Sequence, residues 1–350
     1  MRLLQTPVSR IGTLIIAAGQ VRRSVRIACV VALVTGCLAC GANAADDAAD
    51  YPSRQITLIN PFAAGGPTDL IARVVAETLG DLLGKPVVVE DRPGAGGGVG
   101  FNAVAHSTPD GYTLAAVDIS LVTVPLVQTH ATYDPIKDFR MVGPTARSTL
   151  AFLVGPGVPV SNVADFVAMT KRDPGAVTLA HPGIGSTPHL GALSFSQAAQ
   201  VKPVLVPYQG MAPATTDLLG NRITGLFTAP SGGISLAREG KVKMLAVMGR
   251  QRLSEMPDVP AFSETGLRLA GFEQGTWYGI AAPAGTPDAV IAKLNAALSK
   301  ALESKAVADR LASSDIFVQQ GSADDFQKFV SDQSVFWKKT IAAAGLKSDD

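Results

Sequence analysis

The spacing of hydrophobic residues along this chain changes period again and again, each time in the same order. An apolar run at residues 56–59 reads as a buried strand. A glycine-rich stretch follows, Asn60-Pro61-Phe62-Ala63-Ala64-Gly65-Gly66-Pro67-Thr68-Asp69, and then apolar residues at helical spacing: Leu70, Ile71, Val74, Val75, Leu79, Leu82 and Leu83. Pro67 suits a first helical position and Asp69 a first turn. A second run, 87–90, leads into Arg92-Pro93-Gly94-Ala95-Gly96-Gly97-Gly98-Val99-Gly100. A third, 177–180, leads into His181-Pro182-Gly183-Ile184-Gly185-Ser186-Thr187-Pro188-His189-Leu190. A fourth, 204–206, leads into Pro207-Tyr208-Gln209-Gly210-Met211-Ala212-Pro213 and a short helix through Leu218 and Leu219.

Between these junctions the pattern predicts strands at 112–117, 150–154, 223–227, 242–247 and 277–281, with a polar turn at 118–120. Ser161 is the expected N-cap of a helix carrying Val163, Phe166 and Val167, ended by Asp173-Pro174-Gly175. Thr286-Pro287 opens an amphipathic helix with Val290, Ile291, Leu294, Leu298 and Leu302 on one face, and a last helix is expected over 324–344. Alternating β and α segments predict an α/β fold, and the length exceeds one typical domain. Four strand–glycine–helix junctions predict two α/β lobes, each a central sheet flanked by helices, with a crevice between them. The expected crossings lie near Ala151 and Trp277. Lobe 1 then comprises 45–150 plus 278–350, and lobe 2 comprises 151–277. Two crossings make a hinged clamshell, the plan of secreted solute receptors that close on a ligand.

The chemistry expected at the junctions is anion binding. Each places a helix N-terminus, with free N–H groups and the positive end of the helix dipole, at the carboxyl edge of a strand. It is not a nucleotide site. Gly94-Ala95-Gly96 lacks the last glycine of G-x-G-x-x-G, since Val99 occupies it, and no phosphate-binding G-x-x-x-x-G-K-[ST] occurs. His181 and His189 straddle the third junction without the further ligands a metal needs, so no metal or other cofactor is expected. His181 reads as a residue capping or packing its loop, while spacing leaves the face of His189 open. Ser186 lies in G-I-G-S-T, not in the G-x-S-x-G of a hydrolase elbow. Ser186 and Thr187 read better as hydroxyl and amide donors to a carboxylate. Asp69 has two readings: it complements its own helical turn, or it binds a ligand amine or a water. Trp277 and Tyr278 are expected to line the hinge.

Composition narrows the class. The first 44 residues hold five arginines and no acid, an apolar core at 27–38, and a small-x-small site at Ala42-Asn43-Ala44. That is a secretory signal peptide, with cleavage expected near Ala44. Its long basic start suggests that translation begins near Val21, and Val34-Thr35-Gly36-Cys37 offers a second, lipoprotein-type processing point at Cys37. All three cysteines (29, 37 and 40) fall in this leader, so the mature chain has no disulfide, thiolate or Cys-held metal. Without the leader, 25 of the 30 basic residues remain against 29 acidic ones. That balance excludes a nucleic-acid binder and a protein steered to anionic membranes.

An ordered set of short motifs then resembles a known family. P-F-A-A-G-G-P-T-D (61–69), R-P-G-A-G-G-G-V-G (92–100), P-D-G-Y-T-L (109–114) and Y-D-P-I-K-D-F (133–139) come in order. G-I-G-S-T-P-H-L (183–190), V-P-Y-Q-G-M-A-P-A (206–214), D-L-L-G (217–220), P-D-V-P (257–260) and A-P-A-G-T-P (282–287) follow. They are similar to the Bug-type periplasmic substrate-binding receptors of tripartite tricarboxylate transporters, over residues 51–345. The resemblance implies a two-lobed periplasmic-binding-protein fold without catalysis, monomeric, working with membrane transporter subunits. It implies a small carboxylate held by amides, hydroxyls and bridging waters. The first-lobe contacts would be Phe62, Ala63, Ala64, Gly65, Gly66 and Asp69. The second-lobe contacts would be Gly185, Ser186, Thr187, His189, Tyr208, Gln209 and Gly210. Three positions depart from the family pattern: Val124-Pro125 where Asn-Pro is usual, Thr224-Gly225 where Val-Asp is common, and Asp91 within Glu90-Asp91-Arg92-Pro93-Gly94. The first two are expected to alter ligand choice. A sensing role in place of transport is compatible with the same residues.

Overall fold

The computed structural model describes residues 50–128, 131–273 and 275–343. The expected leader, with Val21, Cys37 and the expected cleavage point at Ala44, lies outside the described residues, as does Ala344 of the last expected helix. The described residues from Pro52 onward form one compact unit.

Two mixed sheets organise that unit. The first begins with β1 (Ile56–Asn60), α1 (Pro67–Leu83), β2 (Val87–Asp91), α2 (Gly98–Ala105) and β3 (Thr113–Asp118). β1 runs parallel to both β2 and β3. After α3 (Ser120–Val127) come β4 (Phe139–Ser148) and then β5 (Ala151–Val154), the first strand of the second sheet. There α4 (Val163–Arg172), β6 (Thr178–His181), α5 (Thr187–Ala199), β7 (Val204–Pro207), α6 (Met211–Leu219) and β8 (Gly225–Thr228) repeat the βαβαβ plan. β6 runs parallel to β7 and β8, while β5 lies antiparallel between β8 and β9 (Lys243–Val247), which α7 (Ile234–Arg238) precedes. The chain returns through β10 (Thr276–Pro283), antiparallel between β3 and β4. The sheet orders are β11-β4-β10-β3-β1-β2 and β7-β6-β8-β5-β9, where β11 is Phe317–Val318. Both share the core order second–first–third parallel strand. The carboxyl ends of β1, β2 and β3, and those of β6, β7 and β8, therefore each share one edge, where ligands bind in open α/β sheets.

The two passages between sheets run side by side. Ser148 pairs with Thr276, and the Met248 N–H donates to Leu150 O at 2.7 Å. Thr149 Oγ1 donates to Met248 O. Helices α8 (Asp288–Leu302), α9 (Lys305–Ala312) and α10 (Ala323–Ala343) close the first sheet: α8 packs on α1 and β4, α9 on α1, and α10 on β4 and α3.

Aromatic residues fill both cores. Phe152 stacks on Phe227 at 4.6 Å and meets Phe166 edge-on at 4.8 Å, with Phe195 and Phe262 around them. Trp277 meets Phe326 and Phe329 of α10 edge-on at 5.7 and 5.6 Å. Among the local features that differ from the pattern-based expectation, three bear on the core and the site. The N-cap of α4 is Asn162, not Ser161: its extended backbone lets its side chain accept the Asp165 N–H at 2.8 Å. The other two are β4 and α3, which the pattern does not predict. α3 is buried all round, through Leu121, Val122, Val124 and Val127, so it offers no amphipathic period, and Pro125 inside it reads as a breaker.

Candidate functional site

At the first lobe's edge, hydrogen bonds pin the β1–α1 loop. The Asn60 amide donates to Phe62 O and to Asp91 Oδ1, each at 2.9 Å, which ties the loop to the end of β2. Asp69 accepts the Gly65 N–H at 2.9 Å and pairs with Arg73 at 2.7 Å, and Arg73 also reaches Asp91 at 2.9 Å. In this structure the Asp69 carboxylate thus serves its own loop and helix. Ala63, Ala64 and Gly65 are exposed, while Phe62 and Gly66 are half-buried.

At the second lobe's edge the His181 and His189 rings lie 4.4 Å apart. His181 Nδ1 accepts the Gly183 N–H at 3.3 Å, and His189 Nδ1 accepts the Gly185 N–H at 3.1 Å. A ring nitrogen that accepts from an amide carries no proton, so both neutral rings hold their proton on Nε2. Burial pushes His181 down to about 4 and His189 to about 3, the neighbouring His181 adding to the second shift. The unfolded chain takes up protons on these rings near pH 6.5, whereas the native one does so only near their lowered values. Stability is therefore full above pH 6.5 and lost as pH falls below it. At pH 5 each ring is expected to cost about 2 kcal/mol. Urea unfolding at pH 7 and pH 5 checks this, and His189→Gln should lessen the acid loss.

The hydroxyls of the third junction are engaged. Ser186 Oγ donates to Gly183 O at 2.6 Å, and Thr187 Oγ1 donates to Asp118 Oδ2 at 3.0 Å. Tyr208 N–H donates to His181 O at 2.9 Å, which joins the fourth junction to the third, and its hydroxyl donates to Asp217 at 2.8 Å. Gln209 is exposed and Gly210 half-buried. Helices α1, α5 and α6 start at Pro67, Thr187 and Met211, and none has a side-chain cap. Their first-turn N–H groups have no partner within their own helix, which suits them to an anion.

The lobes meet directly at these loops, and two of the residues that join them, Thr123 and Gln128, are not singled out by the sequence pattern. Thr123 Oγ1 donates to Gly185 O at 2.7 Å. Gln128 Nε2 bridges Ile184 O at 2.6 Å and Ala95 O at 3.1 Å. Gly96 and Gly183 face each other so closely that a Cβ on Gly183 would lie 3.0 Å from Gly96 N. Val124, where the resembled family usually has Asn, packs against Gly185. Asp118, at the end of β3, accepts the Ser120 N–H at 2.9 Å as well as the Thr187 hydroxyl. Burial pushes its carboxyl up to about 6, against the pull of those hydrogen bonds. The only sequence signal for Asp118 is its polar position at a strand end. Thr224 and Gly225 instead lie at the amino end of β8, on the opposite edge from the junctions. A Cβ on Gly225 would stand 2.8 Å from Leu153 O, so sheet packing accounts for that glycine. Among the described residues, no group of three or more His, Cys, Asp or Glu is placed to hold a metal.

Two βαβαβ sheets, a paired crossing, and junction loops that meet face to face define a two-lobed periplasmic binding protein. Residues 71–346 match the model of the tripartite tricarboxylate transporter family receptor, and the chain belongs to that family. Among its relatives is BugT of Bordetella pertussis, 32% identical over 303 residues, spanning 85% of this chain and 91% of BugT. The solved periplasmic binding protein BugD is 32% identical with a TM-score of 0.79, covering 85% of this chain and all of that one. MatC of Rhodopseudomonas palustris, solved with bound malate, is 31% identical with a TM-score of 0.76, covering 83% of this chain and all of MatC.

Proposed function

We propose that this protein is a periplasmic receptor that captures a small carboxylate between its lobes and delivers it to the membrane subunits of a tripartite transporter. In this reading the leader exports the chain and is cleaved near Ala44, and the receptor works as a monomer. The observation that carries it is the seating of the β6–α5 loop against residues 95–96 and α3, which brings the loops before α1, α2 and α5 into one cluster across the cleft. The β7–α6 loop joins that cluster through the Tyr208–His181 bond. Backbone amides at Gly66 and Gly210, and in the first turns of α1, α5 and α6, would hold the carboxylate, while the Gly65 and Gly185 amides, taken here by Asp69 and His189, brace the loops around it. Each exposed helix start contributes about 0.3–1 kcal/mol, so several must act together. Malate in MatC is an acid of the expected class. A receptor without catalysis fits the third junction, where Ser186 Oγ donates to Gly183 O and His189 Nδ1 is taken by the Gly185 N–H. No serine–histidine pair for nucleophilic attack stands there.

A thermal-shift screen of residues 45–350, refolded to remove carried-over ligand, tests the reading. A ligand that binds only the native state raises the melting temperature. Stabilisation by an acid such as malate, succinate or adipate, but not by its amide or ester, is the expected result. Equal shifts with acid and neutral analogue, or none with any acid, would count against it.

A further inference from the structure

We propose that Asp118 couples closure of the lobes, and with it carboxylate capture, to the uptake of one proton. The capture half rests on the function proposed above, while the closure half stands on the geometry alone.

Asp118 ends β3 on the first lobe and is only 4% exposed. Its carboxylate accepts from Ser120 N–H on its own lobe and from the hydroxyl of Thr187 on the other. Thr187 is the first residue of α5, the helix start expected to receive the ligand. An internal carboxylate therefore already holds one donor of the anion site. The Ser120 hydroxyl, wholly buried, lies against the same carboxylate without a hydrogen bond of ordinary geometry. The carboxylate is thus dry and under-solvated, a costly state for an ionised group.

The groups around it do not relieve that cost. On β10, Tyr278 is paired in register with Asp118, and Tyr133 follows α3. Both are buried neutral phenols, held further toward neutrality by the Asp118 charge. From α5, His189 follows Thr187 by two residues and is itself held neutral. When the lobes part, Thr187 withdraws and water reaches the carboxylate, whose ionisation then returns toward the ordinary 3.8 from about 6. Between those values the closed form binds a proton that the open form does not. Closure is therefore favoured as pH falls through about 6, and is indifferent to pH well above it. The closed-to-open ratio should rise by up to about tenfold from pH 8 to pH 5. A neutral Asp118 also stops repelling an anionic ligand at α5, so both effects act in one direction.

The cysteine-free mature chain allows a clean test. Dyes placed on Asp81→Cys and Lys171→Cys, one on each lobe, report closure by single-molecule energy transfer in the ligand-free protein. The expected result is a rising closed fraction from pH 8 to pH 5, with Asp118→Asn high at both. A wild-type ratio that is flat across that range, or an Asp118→Asn protein that keeps the wild-type response, overturns the proposal. Carboxyl carbon NMR of the wild type needs no variant: a titration raised above the ordinary 3.8 in step with the closed fraction is expected, and one near 4 in a protein that the dyes show closed overturns it. Neither experiment uses a ligand, so both results hold whether or not the protein binds a carboxylate.

Discussion

Replacing Gly275 by alanine is expected to destabilise the protein by at least about 3 kcal/mol, read as a lower urea midpoint. Gly275 precedes β10, where the chain re-enters the first sheet, and its φ of +79° is one that side chains rarely adopt. A Cβ there would stand 2.1 Å from Ser148 O, the backbone of the other crossing segment. That oxygen cannot retreat without breaking the Ser148–Thr276 pairing that holds the two passages together. Gly249 separates clash from backbone strain. Its φ is +97°, but the nearest atom to its Cβ position is 3.9 Å away. Gly249→Ala should therefore cost clearly less, and equal losses would show that the crossing contact is not what matters.

Gly96→Ala should leave the fold standing and cut carboxylate affinity by tenfold or more. A lone alanine in the left-handed region costs roughly 1–2 kcal/mol, which a stable domain tolerates. The added Cβ, however, would lie 2.7 Å from Ile184 O, backbone belonging to the opposite lobe. It acts as a wedge in the seam where Gly96, Gly183 and Gln128 bring the lobes together. Gly84→Ala carries similar backbone strain, φ +67°, with nothing within 4 Å of its Cβ. Calorimetry with the best acid from the thermal screen should find Gly84→Ala near wild type and Gly96→Ala greatly weakened. A loss shared equally by both, or by neither, would remove the seam from the binding mechanism.

Much of the architecture can be read from the chain because its signals are local. β1, β2, β6 and β7 are short apolar runs, and Pro67 and Pro188 mark the first turns of α1 and α5, so the junctions stand out by period and by glycine. β4 and α3 cannot be read that way. Both are buried on nearly every side, and neither strand alternation nor a helical stripe survives full burial. The site is legible in its backbone and less so in its side chains. Glycine-rich loops at strand ends can be recognised from spacing, but partners cannot. Nothing local says that Ser186 donates to Gly183, that Asp69 is held by Arg73, or that Thr187 finds Asp118 across 69 residues of sequence. The interlobe set, Asp118, Thr123 and Gln128, becomes visible only when two lobes separated in sequence come into contact.

Amide NMR of the refolded protein during titration with malate tests the central claim most directly. If the helix starts of both lobes hold the carboxylate, shifts should concentrate at Gly65, Gly66, Gly185, Thr187, His189 and Gly210 together, and malate's diamide should leave them unmoved. Shifts confined to one lobe, or centred away from these amides, would contradict the account.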